Sequence, residues 1–401
     1  MSVRVVLSAL FLSLLSACAS IDRAPFTRVE QAQAVIPDIT HARFWADAPD
    51  AARRMTPPID PPGGTITLAL SSGGDDGAFA AGFLNGWSES GSRPDFTVVT
   101  GVSTGALVAP FAFLGPQWDD RVRRVFTGLD TSDVLDMRFP LAIPFSPSAM
   151  SAKPLKSLID REITDTVIDA VAREYRKGRR LFVETANLDA QRAVVWDMGA
   201  IAASDAPGRY ALFRKVLLAS SSLPGVFPPV AIDTEANGRT VRELHSDGGT
   251  VSQILTLPDD RAAPLGKRRP AKLYIIASSK WGADFRFVTP KTIPVIRNAY
   301  NLALQSALAA EVKAAYYLAR QRGTQFRFAY IGSDFGARKH PMFANWYVNR
   351  IYGYGLRRGR MQAWATQPPD ARDLHLLVPR QPQPDLPVAA NPSRGASGSP
   401  N

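Results

Sequence analysis

Short runs rich in β-branched and aromatic residues alternate along this chain with longer stretches whose apolar positions recur at helical spacing. Thr65 to Leu70 is the first such run, and a glycine loop separates it from a helical stretch over Ala78 to Trp87. Phe96 to Thr100 predicts a second strand, and Ala106 to Leu114 a second helix. Further strands are expected at Leu181–Thr185, Ala193–Trp196, Val241–Leu244, Leu273–Ala277 and Phe326–Ile331. Long helical patterns cover roughly Asp165–Lys177, Tyr210–Ser220 and Thr292–Arg320. Strands set apart by helices imply a mostly parallel sheet sandwiched between helix layers. Sites in such sheets lie beyond the carboxyl ends of the strands.

Toward both ends the pattern fades. Residues 19–63 mix Pro, Asp, Ala and Arg and close on Pro57-Pro58-Ile59-Asp60-Pro61-Pro62, which reads as a tether with one short helix around Ala42 to Trp45. Residues 379–401, proline-rich with a Gly/Ser close, read as a disordered tail. Between them, residues 64–378 form one body without an internal repeat.

Composition narrows the chemistry. With 45% hydrophobic and 21% charged residues, the chain has ample apolar material for a globular core. A single cysteine in 401 residues excludes a disulfide scaffold, a structural zinc site and an iron–sulfur cluster. The 4 histidines form no short-range cluster, so no metal or other cofactor is implied. The balance of 47 basic against 36 acidic residues gives +11, but the basic residues are scattered. That distribution argues against nucleic acid and favours an anionic lipid surface as the partner. No apolar run reaches the length of about 18 residues that a transmembrane helix needs.

The first residues read as an address. Arg4 precedes an apolar stretch from Val5 to Leu15, and Leu15-Ser16-Ala17-Cys18 follows. This resembles a bacterial lipobox, so residues 1–18 would be a lipoprotein signal ending at Cys18, the residue to be lipidated. Ordinary cleavage is the alternative, because Ala17-Cys18-Ala19 also fits an A-x-A site. Ala19, where Asp would retain a lipoprotein at the inner membrane, resembles the outer-membrane sorting pattern. The expected location is the bacterial cell envelope, lipid-anchored at the outer membrane and facing the periplasm.

Gly101-Val102-Ser103-Thr104-Gly105 is a G-x-S-x-G set between a predicted strand and a predicted helix. A serine on such a turn is held in strained backbone with its hydroxyl exposed, while Gly101 and Gly105 let strand and helix approach. The helix start adds partial positive charge beside a developing alkoxide. The bland alternative is a turn serine capping a helix. Ser71-Ser72-Gly73-Gly74-Asp75-Asp76-Gly77 follows the first strand. Acyl transfer needs main-chain N–H donors close to the oxyanion, and glycines permit that approach. A phosphate loop of the Walker type would need Lys, which is absent here. Asp247-Gly248-Gly249 follows the strand at Val241–Leu244; alone, it is a turn signal.

Taken together these segments resemble the patatin-like phospholipase family, from about Thr65 to Asp247, including Ala219-Ser220-Ser221-Ser222-Leu223-Pro224-Gly225-Val226-Phe227-Pro228-Pro229. The resemblance implies a three-layer α/β/α sandwich with a mostly parallel central sheet. It implies a Ser–Asp dyad without histidine, Ser103 being the nucleophile and Asp247 its general base. Gly73, Gly74 and Asp75 would supply the oxyanion hole, with Gly77, Gly101, Gly105 and Gly248 supporting the turns. The substrate implied is a fatty acyl ester of a membrane phospholipid or lysophospholipid, cleaved through an acyl-enzyme. Smaller esters or thioesters are the alternative substrates, and a catalytically impaired lipid-binding lipoprotein the alternative function. Two departures from the family's G-G-G-x-[RK]-G loop bear on this: Ser72 replaces the first Gly, and Asp76 stands where a basic residue is common.

A Ser–His–Asp triad would have to draw on His245, His340 or His375. His245 lies two residues from Asp247 and shares its strand face, and reads as a structural histidine near the site. Trp346 to Arg360 mixes aromatics, Arg and Gly353, Gly355 and Gly359; it reads as a late packed element with a solvated Arg face, the alternative being a lipid interface.

Overall fold

The computed structural model describes residues 23–59, 61–127, 136–137, 148–256, 271–282, 287–336 and 340–369. Within these, nine strands join in one sheet. They are β1 (Arg43–Trp45), β2 (Ile66–Leu70), β3 (Val98–Val102), β4 (Arg180–Asn187), β5 (Arg192–Asp197), β6 (Val230–Ala236), β7 (Arg239–Asp247), β8 (Lys272–Lys280) and β9 (Gln325–Ile331). The first helices are α1 (Arg28–Gln33), α2 (Ala51–Met55), α3 (Ala78–Glu89), α4 (Thr104–Leu114), α5 (Asp119–Thr127) and α6 (Lys153–Glu162). After them come α7 (Asp165–Arg176), α8 (Met198–Ala203), α9 (Arg209–Ser220), α10 (Thr292–Gln321) and α11 (Asn345–Arg360).

In space the strands run β1-β5-β4-β3-β2-β8-β9. From β4 to β9 every pairing is parallel; β5 and β1 are added antiparallel at one side. Strands β2 and β3 lie at the centre and are covered on both faces, which is why they read as near-continuous apolar runs. Leu68, Leu70, Val99, Leu181 and Val183 turn to one face, under α3, α4, α7 and α9. Ala69, Ile275, Ala277 and Phe328 turn to the other, where Leu308, Val312, Ala315 and Ala319 of α10 cover them. The result is an α/β/α sandwich with a mostly parallel sheet.

One detail of register positions the site. Strand β3 pairs with β4 up to Val102 opposite Glu184. On the same edge the next residues, Thr185 to Asn187, pair with β7 running the opposite way, Asp247 facing Thr185. The carboxyl ends of β3 and β7 therefore meet head to head along β4. Residues distant in sequence are brought together by backbone pairing alone.

The N-terminal segment departs from the tether expected over 19–63. Residues 23–59 hold two short helices and a strand, and Phe44, Ala51 and Met55 pack under Val98, Val102, Phe182 and Val195 to finish the second face of the sheet. The predicted short helix at Ala42–Trp45 is instead strand β1, whose aromatic and basic residues pair with the free edge of β5. Burying Met55 alone contributes about 1.5–3 kcal/mol, which outweighs the local preference of a proline-rich stretch. Strand β3 also extends beyond Thr100, because Gly101 and Val102 still pair with Val183 and Glu184. Strand β6 was not foreseen; it joins β7 through Asn237-Gly238, both at positive φ, as a two-residue hairpin turn requires.

Helix α11 packs on α3 with backbones nearly touching. A Cβ on Gly86 would fall 2.1 Å from the Leu356 carbonyl oxygen, and one on Gly359 2.1 Å from that of Phe83. Two of the glycines that weaken α11 as a free helix, Gly355 and Gly359, are what let it dock. The signal segment, Cys18, His375 and the 379–401 tail lie outside the described residues.

Candidate active site

Ser103 sits between β3 and α4 with φ 56° and ψ −124°. A non-glycine residue there is strained by the order of 1–3 kcal/mol and persists only where its surroundings hold it. Those surroundings are visible. A Cβ on Gly105 would fall 2.5 Å from the Leu70 carbonyl oxygen, and one on Gly101 2.6 Å from that of Gly105, so only glycines let the turn close against the end of β2. The Ser103 amide donates to Ser220 Oγ at 3.0 Å, and Ser220 Oγ donates onward to the Glu184 carbonyl at 2.7 Å. Ser221 Oγ donates to the Ser103 carbonyl at 3.2 Å.

Ser103 Oγ donates to Asp247 Oδ2 at 2.5 Å. The other carboxylate oxygen, Oδ1, accepts from the Gly249 amide at 2.7 Å. The Asp247 amide donates to the Ser222 carbonyl at 3.0 Å, so three consecutive serines hold both partners of the pair. Gly248 is required beside them: a Cβ there would fall 2.6 Å from the Glu184 carbonyl oxygen. Ser103 and Asp247 are 6% and 3% exposed. Burial pushes the Asp247 carboxyl from its ordinary 3.8 up to about 7, against the opposing pull of the Ser103 hydroxyl and the Gly249 amide. A carboxyl so poised can exchange a proton with a bound hydroxyl near neutral pH.

The glycine loop lies against this pair. Gly77 has Thr104 where a Cβ would sit, at 2.6 Å, so the loop packs directly on the serine turn. Gly73 and Gly74 donate their amides to no acceptor among the described residues, as donors reserved for an oxyanion would. Gly74 has φ 56°. Ser72 Oγ donates to the Gln253 side-chain oxygen, and Gln253 Nε2 donates to the Gly249 carbonyl at 2.5 Å. The residue that replaces the family's first glycine thus ties the loop to the turn after Asp247.

Asp75 and Asp76 direct their carboxylates to the 340–347 segment. Asp75 Oδ2 accepts from the Phe343 amide at 3.2 Å and lies 3.5 Å from His340 Nδ1. Burial raises the Asp75 pKa, and the Phe343 amide and His340 partly offset it. Asp76 accepts from the Tyr347 hydroxyl. Of the sequence-derived set, Ser103 and Asp247 meet directly, and Gly77, Gly101, Gly105 and Gly248 lie in close contacts around them. The Asp75 side chain points elsewhere.

No described histidine bonds to Ser103 or Asp247. His245 is fully buried, with Nδ1 2.9 Å from Thr185 Oγ1 and Nε2 3.1 Å from Glu243 Oε2, and burial lowers its pKa. His340 stacks on Tyr347 with ring centroids 3.5 Å apart. Sequence reasoning assigned no role to Ser220, Ser221, Ser222, Gln253 or Glu184; the serine triplet at the end of a helix was the one available signal. Glu184 is fully buried beside the pair, and burial raises its carboxyl to about 8, with Glu311 and Asp247 adding to the rise and Ser252 opposing it.

A small apolar pocket adjoins the serine turn, lined by Thr104 and Ser221 together with Leu107, Val125, Phe126, Leu155, Leu158 and Phe227.

Residues 68–258 match the family model described as Patatin-like phospholipase. Comparison with curated proteins returns no match. Among solved structures the chain is similar to VipD from Legionella pneumophila, with a TM-score of 0.36 and 11% identity over 88% of this chain and 73% of that one. It is similar also to the type III effector protein ExoU, at a TM-score of 0.30 and 13% identity, covering 79% of this chain and 59% of that one. A third likeness is to full-length ExoU of Pseudomonas aeruginosa in complex with SpcU, at 0.27 and 15%, covering 76% of this chain and 54% of that one.

Proposed function

Residues 68–258 are a patatin-like phospholipase domain, and from that premise we propose that the chain hydrolyses fatty acyl esters of phospholipids or lysophospholipids through a Ser103–Asp247 dyad. The observation that carries the reading is the 2.5 Å hydrogen bond from a strained, buried serine to a carboxyl that burial has raised to about 7.

As Ser103 Oγ attacks the ester carbonyl carbon, its proton passes to Asp247 Oδ2. The resulting oxyanion is met by the Gly73 and Gly74 amides. Collapse breaks the carbon–oxygen bond to the alcohol, which leaves with the proton from Asp247, and the acyl group stays on Ser103. Water then gives a proton to Asp247 and attacks the acyl carbon. The fatty acid departs, and the proton returns to Ser103. The apolar side chains that line the small pocket beside Thr104 and Ser221 support a hydrocarbon group next to the reacting ester.

Lipidation at Cys18 and an outer-membrane location are part of the same proposal, because an anchored enzyme meets its substrate in the surface that holds it. A fatty-acid analogue should label the wild-type chain and not Cys18→Ala; equal labelling of both rejects the anchor. Lipid profiling of products tests the activity. Free fatty acid and lysophospholipid should accumulate with wild type and stay at background with Ser103→Ala, and identical profiles for the two proteins contradict the proposal.

A further inference from the structure

Helix α10 is one element in two conditions. From Leu308 onward it packs on the sheet through Leu308, Val312, Ala315 and Ala319. Its carboxylate Glu311 accepts from the Gln253 and Ile254 amides at 2.9 and 3.0 Å, which fixes it to the loop that follows Asp247. From Thr292 to Ala307 no side chain is fully buried. Ile293 is 78% exposed and Leu302 64%, Val295 and Ile296 are also exposed, and Phe287 just before the helix is 85% exposed. An apolar surface of this extent in water marks a place where something docks.

What docks can be read from charge and position. Residues 287–310 contain no Asp or Glu, and their charged side chains are Lys291 and Arg297, both exposed. Aliphatic and aromatic residues interspersed with cations suit the boundary between head groups and acyl chains of an anionic bilayer. The position is set by Glu311, one turn beyond this half, whose hydrogen bonds from the Gln253 and Ile254 amides hold α10 against the loop that follows Asp247. The exposed half therefore flanks the Asp247 side of the site.

We propose that the Phe287–Ala307 segment, with the free half of α10 at its centre, is a membrane-docking element that inserts its apolar residues into an anionic lipid surface and brings the mouth of the Ser103–Asp247 site against it. This deepens the lipid acyl hydrolase reading and rests on it for the choice of lipid as occupant.

The test uses the full-length chain carrying Cys18→Ala, in which Ile296→Cys supplies the sole thiol for an environment-sensitive dye. Vesicles of phosphatidylcholine containing phosphatidylglycerol should shift the dye emission to the blue, and vesicles of phosphatidylcholine alone should do so less. The same dye at Lys177→Cys should not respond, since Lys177 precedes β4 at the end of the sheet opposite the site. Adding Ile293→Asp with Leu302→Asp should lower vesicle binding, and hydrolysis of vesicular lipid, by about tenfold or more, with turnover of a monomeric short-chain ester unchanged. An unresponsive dye at 296, an equal response at 177, unchanged binding of the double variant, or a change in molecular mass in place of vesicle binding overturns the proposal. Failure of the hydrolase reading looks different: vesicles are bound, and neither lipid nor soluble ester is cleaved.

Discussion

Strand β7 carries two buried carboxyls in opposite electrostatic conditions. Glu243 is gripped by Arg43, whose two guanidinium nitrogens reach its two oxygens, and it accepts from Asn187 Nδ2 at 3.1 Å. Arg43 and the His245 ring hold it down at about 2 against the cost of burial. Asp247, at the end of the same strand, has the Ser103 hydroxyl and the Gly249 amide and, among the described residues, no cation, and burial takes it up to about 7. Burial is common to both. The partner decides whether a carboxylate is fixed as structure or left able to move a proton. It also explains why His245 serves Glu243 and Thr185 instead of the serine.

The comparison breaks most sharply at the pair itself. Ser103→Ala or Asp247→Asn should each lower the turnover of a soluble ester by about a thousandfold or more, equivalent to roughly 4 kcal/mol of transition-state stabilisation. The double variant should be little worse than either single one, because the two groups act as a unit.

At the other end of β7, Arg43→Ala should leave Glu243 buried without its cation and cost about 3–5 kcal/mol of stability, measured by denaturant unfolding. Turnover per folded molecule should be kept.

The pH dependence should separate the two carboxyls by sign. Turnover should rise with pH through about 7 as Asp247 becomes the acceptor, and Glu243→Gln should not move that midpoint. Stability runs the other way for Asp247: its raised value contributes fully below the ordinary 3.8, and that contribution is lost as pH climbs through about 7. Glu243, lowered to about 2, contributes fully above its ordinary 4.5 and loses that contribution as pH falls toward 2. Acid unfolding curves of wild type and Glu243→Gln should therefore converge near pH 2.

The smallest effect belongs to His245→Gln. It should lower turnover by no more than about threefold, since the ring touches neither reacting group; a loss matching that of Ser103→Ala would point to a histidine-dependent mechanism.

What the sequence disclosed followed from local rules. A β-rich run, a glycine loop, a G-x-S-x-G turn and a D-G after a strand each have a short-range signature, and it was the family resemblance carried by the set together that pointed to Ser103 and Asp247, since the D-G alone is only a turn signal. Their supports have no such signature. Ser220 meets the Ser103 amide from 117 positions away, and Arg43 meets Glu243 from 200. The N-terminal segment looked like a tether because proline dominates its composition, whereas its conformation is set by the unpaired edge of β5 and an uncovered patch of sheet. Helix α10 was legible as a helix; that half of it faces water is a fact about its neighbours, which periodicity does not contain.

The most direct test of the central claim is the rate at which a fluorophosphonate probe adds to the chain at pH 8, with the modified residue located by mass spectrometry. An adduct on Ser103 is expected in the wild type, forming about a thousandfold more slowly in folded Asp247→Asn. An adduct on Ser103 forming as fast in Asp247→Asn as in the wild type, or no adduct on Ser103 at all, would contradict that claim.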